Sequence, residues 1–145
     1  MHRINVCGFL FNGTKLLIAK RSKQETFIPG LWEMIGGGVE LGESLKNALK
    51  REFKEELKLD IKVAQPYHTS TYTCNENAAI TYEVEVDFLA YLNDSNQVVK
   101  INKKIHTEYK WVVEDEALKL FLQNHPANQL EAVKKGFALF KEDNK

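Results

Sequence analysis

The chain has 145 residues, 43% hydrophobic and 28% charged, the size and balance of one ordinary folded domain, 1–145, around one core. Lysine plus arginine equals aspartate plus glutamate at 20 each, which excludes a general basic field for nucleic-acid polymers and an acidic disordered tail, so any charge-based function is local. "MHRINVCGFLF" lacks the apolar run and cleavage site of a signal peptide, and no later stretch nears about 18 apolar residues, so a soluble cytoplasmic protein with no membrane partner is expected.

In chain order, "INVCGFLFNGTKLLIAKR" predicts a β-hairpin turning at Asn12-Gly13, a pair that accepts positive φ. From Ser22 to Gly42, Pro29 and five glycines predict loop, broken at most by a short strand at "LWEMI". Leu45, Ala48, Leu49, Phe53 and Leu57 recur at helical spacing, predicting an amphipathic helix over Ser44 to Leu57. Strands follow near "DIKVAQPYH", "ITYEVEVDFLAYL" and "EYKWVV", and helices at "EDEALKLFLQN" and from "ANQLEAVKKGF" onward. The expected fold is α/β in the α+β sense, a mixed β-sheet sandwiched between α-helices. Cys7 and Cys74, with no C-x-x-C spacing, are expected to be buried free thiols.

One feature of the first helix conflicts with plain amphipathicity. With Leu45 at zero and about 100° per residue, the apolar stripe runs from roughly 300° to roughly 120°, while Glu52 falls near roughly 340°, Glu56 near roughly 20° and Glu55 near roughly 280°. Two glutamates thus lie on the apolar stripe and a third beside it. Like charges at such spacing repel by about 0.2–0.5 kcal/mol per pair, more when water is lost. Arg51, Lys50, Lys54 and Lys58 can offset this as a salt-bridged surface. A divalent cation can do so too, since hard oxygen ligands over one helical turn suit Mg²⁺ or Mn²⁺ with positions open for phosphate. Gly36, Gly37 and Gly38 allow close backbone approach to an ion or phosphate, and Glu43 adds a carboxylate at the helix start, where the dipole tolerates it.

These residues carry a resemblance. Gly37, Glu43, Arg51, Glu52, Phe53, Glu55, Glu56 and Leu59 fill the box G-x5-E-x7-R-E-U-x-E-E-x-G-U at its spacing, U being apolar, and the segment is similar to the Nudix hydrolases. The resemblance implies water attack on a nucleoside diphosphate linked to another group, with Mg²⁺ or Mn²⁺. By position, Glu52, Glu55, Glu56 and a backbone carbonyl at Gly36 would hold the metal. Arg51 would pair with a box glutamate, and Glu52 or a neighbour would accept a proton. Three departures stand out. Lys58 replaces the glycine that ends the helix in a left-handed conformation. Ile35 replaces a proline before the glycines, an expected loosening of the loop. Ile105 stands where some members place a further carboxylate. Glu108 nearby reads as an exposed strand residue and His106 as a surface histidine.

For the substrate, Arg21 matches a phosphate-binding arginine of similar proteins, with Lys20 and Lys23 as assisting charges, against the plainer reading of a solvated strand end. Trp32, Phe27 or Tyr82 are candidates to stack on a base, though core packing is the commoner role. "HPANQLEAVKK" resembles the "PAN" segment of MutT-like enzymes, where the asparagine reads the base edge, so Asn128 is a candidate reader as well as a candidate helix N-cap. The expected substrate is a small nucleotide, led by an oxidised purine nucleoside triphosphate cleaved to monophosphate and pyrophosphate. The alternatives are a nucleoside diphosphate sugar, a dinucleotide polyphosphate, or a nucleotide-binding module without turnover. The expected assembly is a monomer or homodimer.

Overall fold

Strand β1 (His2–Asn12) and strand β2 (Lys15–Arg21) are joined through Gly13 and Thr14, with Gly13 at φ 64°. Asn12 pairs with Lys15, so the turn falls one residue later than the sequence pattern predicts; the first turn position needs positive φ, and the glycine takes it. A computed structural model describes residues 1–25, 28–123 and 127–143 of the chain.

Beyond Phe11↔Leu16 and Asn12↔Lys15 the two strands part. β1 runs parallel to β6 (Ala79–Leu92) and antiparallel to β4 (Ile35–Gly38), while β2 pairs antiparallel with β3 (Trp32–Glu33) and β7 (His106–Val112). β5 (Ile61–Glu76) completes the order β3-β2-β1-β6-β5, with β4 on β1 and β7 on β2.

The glycine run corrects the sequence reading. Gly36, Gly37 and Gly38 are not loop but strand, paired with Cys7, Val6 and Asn5. A side chain at Gly36 would meet the Val6 carbonyl and the Cys7 Sγ, so this glycine permits close strand approach rather than a turn. Ile35 is fully buried against the first helix, which holds the segment down rather than loosening it. β5 also runs well past the expected "DIKVAQPYH". Its polar second half pairs with β6 as far as Glu76↔Ala79, and Asn77 and Ala78 turn at φ 50° and 64° without any glycine.

Helix α1 (Leu45–Leu57) begins where Ser44 accepts from the Asn47 amide at 3.1 Å. It ends at Lys58, φ 60° and ψ 34°, whose amide donates to the Lys54 carbonyl while Leu59 donates to Phe53. Lys58 therefore keeps the left-handed turn at a cost of about 1 kcal/mol. Lys58→Gly is expected to raise the melting temperature by ~2–4 °C and to leave metal affinity alone. Thermal melts check this, and a lower melting temperature would contradict it.

Residues alternate across the sheet. Val6 and Leu10 face α1, meeting Leu49, Phe53 and Leu57, and Phe9 and Phe11 face the opposite layer with Phe137 and Phe121. That second layer is α2 (Glu114–Leu122) and α3 (Ala127–Asp143), which makes the helix–sheet–helix sandwich expected from sequence. Cys7 and Cys74 are buried free thiols. Trp32 is core, with the Lys110 ammonium 5.4 Å from its ring, and Tyr82 is exposed against His2. Phe27 and the side chain of Asn128 lie outside the described residues.

Candidate active site

The α1 frame turns the glutamates in the directions their spacing implies. Glu52 is 13% exposed and Glu55 59% exposed. Glu56 is largely buried, and its Oε2 has no hydrogen-bond partner among the described residues. Burial, then the charges of Glu33 and Glu52, push the Glu56 carboxyl up to about 9. Burial also raises Glu52, with Arg51 pulling the other way.

Arg51 organises this face. It forks onto Glu43 at 2.8 and 2.9 Å, donates to Glu52 at 2.8 Å and to Glu55 at 3.3 Å, and reaches the Gly38 carbonyl at 2.9 Å. The Arg51 bond, then the Glu40 amide, holds Glu43 down at about 2. One guanidinium thus ties the helix, the turn before it and the end of β4 into one frame. Among the described residues no α1 lysine pairs with Glu52, Glu55 or Glu56; Lys54 binds Asp60 instead, at 3.2 Å. The salt-bridged surface therefore forms in part, through Arg51 to Glu52 and Glu55, and not through the lysines. The oxygens of Glu52, Glu55 and Glu56 do not all lie within 4.8 Å of one another among the described residues, but the buried, partnerless Oε2 of Glu56 on the same helix face is a donor of the kind a hard divalent cation takes. The Glu52 carboxylate also occupies the space a Cβ on Gly37 would fill, so the glycine strand is cut to the carboxylates' shape.

A second group lies at the end of β2. Arg21 pairs with Glu33 at 3.1 Å and with Glu25 at 3.5 Å, so it is not a solvated strand end. His106, expected at the surface, is fully buried and bonds Glu33 through Nε2 at 2.9 Å. The reason is register: a bulge between Lys20 and Arg21 sets His106 opposite Arg21, turning the imidazole inward. Ile105 uses its carbonyl to accept the Ser22 amide at 2.7 Å. Glu108 is exposed and 3.8 Å from Lys20, and Lys23 is exposed.

Gly36, Gly37 and Gly38 also wall a cavity of about 190 Å³ between the sheet and α3. Its other walls include Arg3, Asn5, Arg21, Glu83, Glu85 and Gln129. Glu83 accepts from Arg3 and Asn5, each at 3.2 Å; burial opposes its ionisation, but these bonds and one from Thr81 outweigh it and hold its pKa below the ordinary value. Gln129 accepts the Met34 amide at 3.2 Å, which fixes its amide group, and donates to both Glu85 oxygens at 3.3 and 3.4 Å. Asp87, fully buried, takes a 2.9 Å bond with His68 Nδ1. Sequence reading predicted a strand at "ITYEVEVDFLAYL" and drew no site from its acidic residues. A signal was present: Glu83, Glu85 and Asp87 crowd three like charges onto one strand face, as the glutamates do on α1.

The NUDIX domain profile matches residues 1–133. No curated protein matches the chain. Among solved structures, a MutT protein from Methanosarcina mazei Go1 is 25% identical, with 99% of this chain and 96% of that one covered at a TM-score of 0.77. The E. coli dihydroneopterin triphosphate pyrophosphohydrolase is 20% identical, covering 94% and 95%, at 0.70. A C. elegans Ap4A hydrolase is 19% identical, covering 97% and 98%, at 0.67.

Proposed function

The chain belongs to the NUDIX domain family and is a hydrolase acting on pyrophosphate bonds, and from that premise we propose that it cleaves a nucleoside triphosphate, led by an oxidised purine (d)NTP, to monophosphate and pyrophosphate. The observation that carries the reading is the glycine strand with two faces: cavity on one, Glu52 on the other. A ring system in the cavity can extend its phosphates over Gly36–Gly38 to the carboxylates with no side chain in the way.

In this reading Glu52, Glu55, Glu56 and the Gly36 carbonyl hold Mg²⁺ or Mn²⁺. When bound, such an ion neutralises phosphate oxygens and brings the pKa of a bound water toward neutrality. Arg51 is a positioning residue that fixes Glu52 and Glu43 before substrate arrives. Glu52, with its pKa raised by burial, accepts the proton of the attacking water. Arg21, on the cavity wall, and Lys23 meet phosphate oxygens, and Asn128 contacts the base. The M. mazei neighbour, a MutT protein, supports the triphosphate reading; the Ap4A hydrolase keeps a dinucleotide in view.

A substrate panel with Mg²⁺ separates these readings: oxidised and ordinary dNTPs, nucleoside diphosphate sugars and dinucleotide polyphosphates, with products identified. Pyrophosphate from a triphosphate is expected. Monophosphate without free pyrophosphate, from a sugar nucleotide or dinucleotide alone, would overturn the substrate assignment.

A further inference from the structure

We propose that Cys7, Glu85 and Asp87 form a second metal site, for one thiolate-binding divalent ion of the Zn²⁺ class, on the face of the glycine strand away from the α1 glutamates. Such a site is independent of which nucleotide the enzyme cleaves.

Strand register builds it. β1 and β6 run parallel with Cys7 opposite Asp87 and Asn5 opposite Glu85, so the thiol and both carboxyls project from one face of two neighbouring strands. The Cys7 Sγ and one oxygen from each carboxyl lie within 4.8 Å of one another, and no other trio of such ligands among the described residues does so. All three residues are buried, Asp87 completely, and the Asp87 Oδ1 has no hydrogen-bond partner among the described residues. Neighbouring side chains hold the carboxyls in place. His68 Nδ1 bonds the other Asp87 oxygen at 2.9 Å, and Gln129, fixed by the Met34 amide, donates to the Glu85 oxygens at 3.3 and 3.4 Å. Cys7 and Glu85 line the cavity of about 190 Å³, which gives an ion its way in and leaves a position for water. A Cβ on Gly36 would meet the Cys7 Sγ at 2.7 Å, whereas one on Gly37 would meet Glu52, so the glycine strand separates the two sites.

Ligand chemistry selects the ion. A thiolate with two carboxylates suits Zn²⁺ or Co²⁺, while Mg²⁺ and Mn²⁺ prefer oxygen ligands alone, as on α1. Around a tetrahedral Zn²⁺, with bonds of roughly 2.3 Å to sulfur and 2.0–2.2 Å to oxygen, ligand atoms stand roughly 3.4–3.6 Å apart. Atoms already within 4.8 Å reach that spacing by drawing in roughly 1 Å. Charge decides whether burial tolerates the ion. Without metal at pH 7, burial keeps the Cys7 thiol and the Glu85 carboxyl protonated, with Glu85 bonded to Asp87, so the trio carries one negative charge. A divalent ion that displaces those two protons leaves the same single negative charge, so no further net charge is buried.

The test is a Co²⁺ titration of the metal-free protein, without nucleotide, followed by absorption. A sulfur-to-cobalt charge-transfer band in the near ultraviolet is expected, one that Zn²⁺ abolishes and excess Mg²⁺ leaves in place. Cys7→Ser is expected to lose the band. Cys74→Ser, which removes the other thiol on the cavity wall, and Glu56→Gln, which alters α1, are expected to keep it. Asp87→Asn retains both thiols and is expected to weaken the Co²⁺ binding read at the band ~10-fold or more. No band in the unaltered protein, a band that survives Cys7→Ser, or one lost in Cys74→Ser or Glu56→Gln would overturn the proposal. Undiminished affinity in Asp87→Asn would overturn it equally, and that variant decides the matter if Cys7→Ser does not fold.

Discussion

Glu56→Gln is expected to lower metal-dependent turnover at least ~100-fold while the protein stays folded, the scale seen when a metal site is damaged. Burial pushes the Glu56 carboxyl up to about 9, so in the proposed reading its ionised form depends on a cation. Its stability consequence has a definite sign. The folded pKa of about 9 lies above the ordinary 4.5, so the folded state keeps a proton the unfolded state releases. Stability is then complete below about pH 4.5 and is lost as pH rises toward about 9. Metal-free wild type should melt ~5 °C or more lower at pH 8.5 than at pH 5, and Glu56→Gln should flatten that slope. Added Mg²⁺ should restore wild type at pH 8.5 and do little for the variant. Turnover in the variant close to wild type would contradict the role.

Arg51→Ala is expected to cost ~2 kcal/mol, ~4–8 °C in melting temperature, and to cut turnover ~100-fold. The residue makes no assigned contact with substrate; its effect comes from leaving Glu52 and Glu43 without their shared partner and detaching Gly38 from the helix. Arg51→Lys separates charge from geometry. Lysine keeps the positive charge but lacks the planar fork that grips both Glu43 oxygens, so it should recover part of the stability and little of the activity. A fully active lysine variant would mean that charge alone suffices.

The helix carrying the glutamates was legible because its apolar spacing and its misplaced charges bear on the same thirteen residues. The left-handed turn at Lys58 was legible only through the resemblance, since lysine gives no local sign of positive φ. Gly36–Gly38 misled because glycine marks both turns and places where backbones crowd. Only the approach of β1 decides between them. His106 was misread, and the acid face of β6 passed over, for a related cause. A polar residue on an alternating strand reads as solvated until a further layer, here α3 with Gln129 or the bulged edge of β2, covers it. The tertiary partners that bury these groups lie 44 and 73 residues away in sequence, beyond any local pattern.

The central claim is that Glu56, buried and protonated without metal, gives up its proton to a divalent cation. Calorimetric titration with Mn²⁺ at pH 7, in two buffers of different ionisation enthalpy, counts the protons released per ion bound. The account predicts about one proton per bound ion in the unaltered protein, affinity that rises with pH toward about 9, and no proton from Glu56→Gln. Binding without proton release, or the same release from Glu56→Gln, would contradict it.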